Sequence, residues 1–290
     1  MKMALEHLIR EATVRLDAAG VPAPESEAER LAAVALGIRA EDLNDRTDVG
    51  PVAAQFVELV RQRSRRIPLP RLVGRAPFRN IELLVGDGVF VPQPETGPVV
   101  EWAVKALGQQ GLDHPLVVDL CSGSGVIPLA IANEAPHAVV HGVELDPTAY
   151  GWASRNVEAR IAAGDTPVTL HLGDIADAVH ELDGTVDMVV SNPPYVADHE
   201  VADVEPEVRD HDPRVAIEGG ADGLVLIRVV EQVARRLLRD GGLLVIEHSD
   251  RQGKSAPAIL KAAGGWTYIK AHRDDDGLDR FVTARWRPRT

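Results

Sequence analysis

The sequence predicts an α/β protein in which a doubly wound, mostly parallel β-sheet follows a small helical domain. From Thr96 onward, short apolar runs rich in β-branched residues alternate with helical stretches, as expected of buried parallel strands joined by helices. The residues before position 67 show helical periodicity instead. Polar and acidic residues come directly after several runs, at the strand ends where a doubly wound sheet binds its ligands.

Composition is that of an ordinary globular protein, with 45% hydrophobic and 26% charged residues among 290. No window approaches the roughly 18 apolar residues of a membrane span, and the charged N-terminal segment does not resemble a signal peptide. Because Cys121 is the single cysteine, an intrachain disulfide is excluded, and we expect a cytoplasmic protein that does not bind membranes. The net charge of −13 disfavours binding to extended DNA.

Residues 1–72 are the predicted helical domain, which we expect to bind a substrate or partner. Apolar residues recur at helical spacing from Leu5 to Leu16 and from Ala28 to Leu36, and Pro51 is expected to start a third helix. A basic cluster ends this third helix. It either complements the helix dipole or forms an edge that binds a partner. The cluster consists of Arg61, Arg63, Arg65 and Arg66.

Residues 73–95 are predicted to link the two domains as a β-hairpin. The first strand is expected in FRNIELLV (78–85) and the second in VFV (89–91), with the turn at Gly86-Asp87-Gly88.

Residues 96–290 are the predicted sheet domain. Five runs read as parallel strands, and two closing runs read as antiparallel strands, so we expect seven strands in all. The seven runs cover 116–120, 137–145, 167–172, 186–191, 242–248, 266–271 and 279–286. Helices are expected around 126–134, 147–162 and 222–239.

The loop after the first of these strands reads Asp119-Leu120-Cys121-Ser122-Gly123-Ser124-Gly125. Glycines and small residues let the backbone turn sharply and approach a ligand closely. The dinucleotide fingerprint is absent, because Pro128 stands where its third glycine would be. The carboxylate of Asp119 suits a cationic ligand better than a pyrophosphate.

Two more carboxylates follow the next strands. Glu144 ends the second strand, where it can accept both hydroxyls of a ribose, and Asp174 follows the third, where it can accept an adenine amino hydrogen. Each acid taken singly is typical of a solvated loop or a helix cap. Together with Asp119 they favour a nucleoside with a positive tail, a description that S-adenosylmethionine fits.

The fourth strand is followed by Asn192-Pro193-Pro194-Tyr195. The Asn192 side chain offers a carbonyl acceptor, and the Pro193 carbonyl is expected to be free because prolines cannot continue a ladder. Tyr195 supplies a flat face for a planar group. The motif therefore predicts capture of a planar –NH2 between two acceptors, rather than a simple strand end.

These motifs resemble class I S-adenosylmethionine-dependent methyltransferases acting on amino nitrogens, whose fold is Rossmann-like. Over nearly the whole chain, the sequence is similar to the HemK/PrmC family of protein glutamine-N5 methyltransferases, through RRIPLPRLVGRAPF (65–78), VFVPQPET (89–96), EPEVRDHDPRVAIEGGADGL (205–224) and VIEHSDRQG (245–253). The resemblance implies that the glutamine of the Gly-Gly-Gln motif in class 1 peptide-chain release factors is the substrate.

The resemblance also implies the site residues. The cofactor pocket would be lined by Asp119, Cys121, Ser122, Gly123, Ser124, Gly125, Glu144, Asp174, Ile175 and Asn192. The glutamine amide would be held by Asn192, Pro193, Pro194, Tyr195 and Val196, of which Asn192, Pro193 and Tyr195 are the expected catalytic residues. Methyl transfer would leave S-adenosylhomocysteine, and it needs no metal. Two loop histidines, His211 and His248, are not assigned a catalytic role.

The sequence departs from the family pattern around the predicted substrate entrance. The family's PRPETE run is PQPETG here, so Gln93 and Gly97 replace an arginine and a glutamate. The family's PLQ-aromatic or PLQH run is Pro68-Leu69-Pro70-Arg71 here, and its HEP is His211-Asp212-Pro213. Two alternatives therefore remain: a paralogue that N-methylates a free amino acid or another small metabolite, and a cofactor-binding scaffold without activity.

Overall fold

The computed structural model describes residues 5–43 and 50–288, which divide into two compact units. The first unit comprises the described residues up to Ala76 together with Glu205–His211, and the second comprises Pro77–Val204 and the described residues from Asp212 onward. The helices, in chain order, are α1 Leu5–Ala18, α2 Pro24–Leu36, α3 Ala53–Arg63, α4 Leu69–Val73, α5 Gly97–Gln110, α6 Val126–Glu134, α7 Pro147–Ala162, α8 Pro206–Arg209, α9 Val225–Leu237 and α10 Ser255–Ala263. The strands are β1 Arg75–Phe78, β2 Ile81–Leu84, β3 Leu116–Leu120, β4 Val139–Glu144, β5 Val168–Leu172, β6 Val186–Ser191, β7 Leu238–Glu247, β8 Trp266–Arg273 and β9 Asp279–Trp286.

The first unit is built on amphipathic helices, and the three helices predicted there are confirmed. Their apolar stripes meet in a common core that includes Leu16, Leu31 and Phe56. Helix α2 ends at Gly37, whose φ of 66° is left-handed and allows the chain to turn.

Two arginines of the basic cluster at the end of α3, Arg63 and Arg66, form ion pairs inside the first unit. Arg63 is only 3% exposed and donates to Glu27 and Glu207. Arg66 makes a two-fold contact with the same Glu207, with both nitrogen–oxygen distances 2.6 Å. These two arginines hold α8 against the helical unit and are not displayed on an edge.

The hairpin is present, but its predicted position is wrong. Strands β1 and β2 pair across a turn at Arg79-Asn80, where Arg79 has a φ of 50°, and residues 89–91 form no strand. The glycines of 86–88 permit close packing on α7 instead. A Cβ on Gly86 would overlap the Trp152 ring, and one on Gly88 would lie 2.7 Å from Thr148 Cγ2.

The second unit contains the predicted seven-stranded sheet, in the order β5-β4-β3-β6-β7-β9-β8. The first five of these strands are parallel, and β9 pairs antiparallel with both β7 and β8, as predicted. Helices α5 and α10 were not predicted individually. Among the described residues, no helix is both long and apolar enough to cross a membrane.

Both faces of this sheet are buried in its centre, where every residue of β6 is buried. Along β6, Met188 and Val190 belong to one apolar cluster and Val189 to another. Since alternate residues of a strand point to opposite faces, the two clusters lie on opposite sides of the sheet. Helices α5 and α6 contribute to the first cluster and α9 and α10 to the second. This is the doubly wound arrangement that the alternating pattern predicts.

Candidate active site

The site lies where the strand order of the sheet reverses. From β3 the chain continues through β4 and β5 on one side, whereas β6 and β7 lie on the other side of β3. Ligands of doubly wound sheets bind beyond the carboxyl ends of the strands at such a point. The predicted residues meet there: Asp119 lies in β3, Glu144 ends β4, and Asn192 follows β6.

Asp119 is a buried carboxyl in β3. It is fully buried, and neither carboxyl oxygen forms a hydrogen bond with any described residue. Burial raises the pKa of Asp119 well above its ordinary value. The neighbouring Ser122 side chain opposes this rise, and the negative charge of Glu144 adds to it. Unpaired buried polar groups are costly. A cation beside Asp119 would remove this cost.

The loop from Cys121 to Gly125 turns in left-handed backbone conformations. Its φ values are 67° at Cys121, 55° at Gly123 and 81° at Gly125. A Cβ on Gly123 would meet no atom of the described residues within 4 Å other than its chain neighbours, so the loop is open there. Ser122 and Ser124 are buried within the turn. Burial also raises the pKa of the Cys121 thiol, with Glu144 and Asp119 adding to it, so the thiol stays protonated.

Glu144 joins this loop to the end of β4. Its Oε2 accepts the Gly123 N–H at 2.7 Å, and its Oε1 accepts the Asp146 N–H at 2.8 Å. Each carboxylate oxygen has a second lone pair, so the group can still accept from two hydroxyls. Beyond β5, Asp174 is exposed and accepts the Ala176 N–H, whereas Ile175 is buried in the core.

Asn192 is oriented by a contact with Thr96. Its Nδ2 donates to Thr96 Oγ1 at 3.1 Å, so its Oδ1 is the end left to accept from a ligand. No donor among the described residues reaches the Pro193 carbonyl. Among the described residues, neither of the two acceptors that the motif predicts is taken by a hydrogen bond.

The rest of the motif is held by the surrounding protein. The Tyr195 hydroxyl donates to Glu247 Oε1 at 3.3 Å, and the Tyr195 carbonyl accepts from Gln252 Nε2 at 3.0 Å. The Val196 N–H donates to Ile217, and its carbonyl accepts from Gly219. Both backbone groups of Val196 are thus engaged, and only its side chain can contact a substrate.

Several residues that support the site were not predicted from the sequence. Thr96 and Glu247 contact the motif through side chains, and Gln252 bridges Tyr195 to Gly223. A Cβ on Gly219 would lie 2.8 Å from Tyr195 Cα, so only glycine fits beneath the motif. The glycine-rich run 219–223 was the signal that could have indicated this close packing.

The two loop histidines that have no predicted catalytic role, His211 and His248, lie in different units. His211 belongs to the first unit, where its Nε2 contacts the Arg65 carbonyl at 3.0 Å. His248 is fully buried in the second unit, and burial lowers its pKa.

The fold and this site define a class I S-adenosylmethionine-dependent methyltransferase. Residues 103–221 match the methyltransferase small domain, and residues 7–74 match the PrmC N-terminal domain. Among solved structures, the catalytic domain of hMettl16 in complex with MAT2A 3′UTR hairpin 6 has a TM-score of 0.54 at 13% identity, covering 71% of this chain and 75% of that one. That likeness concerns the fold alone.

Comparison with curated proteins gives relatives of higher sequence identity than the solved structures do. The release factor glutamine methyltransferase of Streptomyces coelicolor is 47% identical over 96% of both chains, and that of Mycolicibacterium smegmatis is 44% identical over 97% of both. A 4-amino-L-phenylalanine/4-methylamino-L-phenylalanine methyltransferase of Streptomyces pristinaespiralis is 40% identical over 92% of this chain and 90% of that protein. This chain belongs to the PrmC family of release factor glutamine methyltransferases.

Proposed function

We propose that the protein transfers a methyl group from S-adenosylmethionine to the side-chain amide nitrogen of the glutamine in the Gly-Gly-Gln motif of class 1 release factors. The observation that carries this proposal is the orientation of Asn192, whose Nδ2 is bound by Thr96 so that Oδ1 remains an acceptor. An amide –NH2 needs such an acceptor. The nearly full-length identity to release factor glutamine methyltransferases supports the same substrate.

The residues at the ends of β3 and β4 fit the cofactor. Its positively charged tail would pair with the unpartnered carboxyl oxygens of Asp119. The open face of Gly123 leaves room for close approach, and Glu144 retains acceptors for the ribose hydroxyls. The exposed Asp174 would offer the adenine an acceptor, next to the core residue Ile175. The cofactor supplies the methyl group in electrophilic form, attached to a sulfonium.

The chain's own residues would prepare the acceptor nitrogen. An amide nitrogen is a poor nucleophile because its lone pair is shared with the carbonyl. Asn192 Oδ1 and the Pro193 carbonyl would accept hydrogen bonds from its two N–H groups and stabilise the positive charge that develops as the new bond forms. One proton of the methylated nitrogen would then pass to water. Tyr195 would cover the planar group. Such positioning and preorganised dipoles account for much of the barrier reduction in many enzymes.

A second candidate is methylation of a small amino compound. It is favoured by the relative that acts on 4-amino-L-phenylalanine and by Gly97. Apart from its own helix and its chain neighbours, no atom of the described residues lies within 4 Å of a Cβ placed on Gly97, so the position next to Thr96 has space where the family pattern has a glutamate. An aryl amine also presents a planar –NH2, which the same acceptors would hold.

The experiment compares the two substrates directly. The protein is incubated with labelled S-adenosylmethionine and either a class 1 release factor or 4-amino-L-phenylalanine. Methylation of the release factor, abolished when its Gly-Gly-Gln glutamine is changed to alanine, supports the proposal. The Asn192→Ala variant should bind cofactor but lose turnover. Label in the amino acid alone would refute the release-factor substrate, and cofactor binding without any transfer would point to a scaffold.

A further inference from the structure

Glu247 is a buried carboxyl that lies beside the N-P-P-Y motif and has no part in the proposed reaction. It ends β7, is 1% exposed, and has no hydrogen-bond partner among the described residues for its Oε2. Its Oε1 accepts from the Tyr195 hydroxyl at 3.3 Å. A buried carboxyl with an unpartnered oxygen is costly, so its place next to Tyr195 calls for an explanation.

Thr96 connects Glu247 to the second polar residue of the motif. The Thr96 side chain is almost fully buried and accepts from Asn192 Nδ2. A hydroxyl has one hydrogen to donate as well as its acceptor lone pairs. Hydrogen bonding from the Thr96 side chain lowers the pKa of the Glu247 carboxyl and so favours its charged form. Glu247 therefore reaches Asn192 through Thr96 and contacts Tyr195 directly.

This arrangement determines which end of the Asn192 amide faces a ligand. If Thr96 directs its hydrogen to Glu247, its oxygen is left to accept from Nδ2, and Oδ1 must point away. We propose that Glu247 is a positioning residue for methyl transfer, holding Asn192 through Thr96, and the Tyr195 ring directly, in the orientation that accepts the substrate –NH2. The inference rests on the proposed function, since it assigns Asn192 Oδ1 to the acceptor nitrogen.

The charge state of Glu247 should control this positioning. Burial raises the pKa of Glu247 to about 7, against the lowering effects of Thr96, Arg280 and Tyr195, and Glu95 raises it slightly. Arg280 is itself paired with Asp274 at 2.8 Å. The carboxylate accepts hydrogen bonds from Thr96 and Tyr195 more strongly than the protonated group, which keeps one carbonyl acceptor and gains a donor. Turnover should therefore rise as the pH passes through about 7.

The first test measures kcat, KM and cofactor affinity between pH 5.5 and 9, with whichever substrate is methylated. For a single ionisation at about pH 7, wild-type kcat should rise about ten-fold from pH 6 to pH 8. Glu247→Gln should lower kcat at pH 8 at least ten-fold and remove the rise, with KM and cofactor affinity within two-fold of wild type. Thr96→Val should reproduce this loss, Thr96→Ser should retain activity, and the exposed control Glu101→Gln should behave as wild type.

A Glu247→Gln enzyme with the wild-type kcat and pH profile would overturn the inference. A second readout needs no turnover: the side-chain amide signal of Asn192, observed by NMR in the protein without substrate. It should shift with a midpoint near pH 7 in the wild type and not in Glu247→Gln. An Asn192 signal that does not follow the charge of Glu247 overturns the inference even if methyl transfer is found. A signal that does follow it, in a protein that methylates neither substrate, refutes the proposed function alone.

Discussion

Replacing Glu247 by glutamine is expected to stabilise the protein above neutral pH and to have little effect in acid. The pKa of Glu247 is about 7 in the folded protein, against 4.5 for an ordinary glutamate. Between these values the folded state keeps a proton that the unfolded chain loses. The free energy of unfolding of the wild type therefore falls as the pH rises from 4.5 through 7, by about 3 kcal/mol from this group alone.

Glutamine resembles the protonated carboxyl and does not ionise, so the variant escapes this loss. We expect the two proteins to differ by less than about 1 kcal/mol at pH 5, and the variant to be more stable by about 3 kcal/mol at pH 8. Urea unfolding followed by tryptophan fluorescence measures this difference within the unit that holds Glu247, because Trp102, Trp152, Trp266 and Trp286 all lie in it.

The exposed Glu101→Gln variant is the control, with an expected change within about 0.5 kcal/mol at both pH values. Equal stability differences between wild type and Glu247→Gln at pH 5 and pH 8 would refute the reasoning, because they would mean that the buried carboxyl carries no raised pKa.

Three further predictions concern other parts of the chain. Asp119→Asn should weaken cofactor binding, measured by calorimetry, by about 30-fold or more. This corresponds to about 2 kcal/mol for the loss of one partner of a buried charge pair. An unchanged affinity would contradict the role of Asp119 in binding the positively charged tail of the cofactor. Gly86→Ala should lower the free energy of unfolding by about 1–3 kcal/mol, because the added methyl overlaps a packed indole ring; a fully stable variant would contradict this. Glu207→Ala should destabilise the helical unit by about 3 kcal/mol in thermal unfolding, because it removes a partner from the buried Arg63, whereas the exposed Glu205→Ala should not.

The sheet and the candidate site could be predicted from the sequence for a physical reason. Parallel strands buried on both faces are continuous apolar runs, and their carboxyl ends must meet at one edge. Asp119, Glu144 and Asn192 could therefore be brought together without knowing any distance. Chain order and strand type were enough.

Other features depend on contacts between segments that are distant in sequence. Gly86 and Gly88 read as a turn because glycine favours turns, but their lack of a side chain serves packing against α7. Thr96 lies far from Asn192 along the chain, and no local pattern links the two. Glu247 likewise appears as the polar end of an apolar run, and its meaning depends on the burial that the folded sheet imposes.

The basic cluster after α3 is a similar case. Its sequence allows a dipole-complementing turn or a partner-binding edge, but two of its arginines pair with Glu207, which lies more than 140 residues further along the chain. Only the folded chain brings that carboxylate to them.

The most direct test of the central claim is tandem mass spectrometry of a class 1 release factor after incubation with the protein and S-adenosylmethionine. We predict one added methyl group on the side-chain amide of the Gly-Gly-Gln glutamine, present with the wild type and absent with Asn192→Ala. An unmodified glutamine, under conditions in which the wild type methylates 4-amino-L-phenylalanine, would contradict the claim.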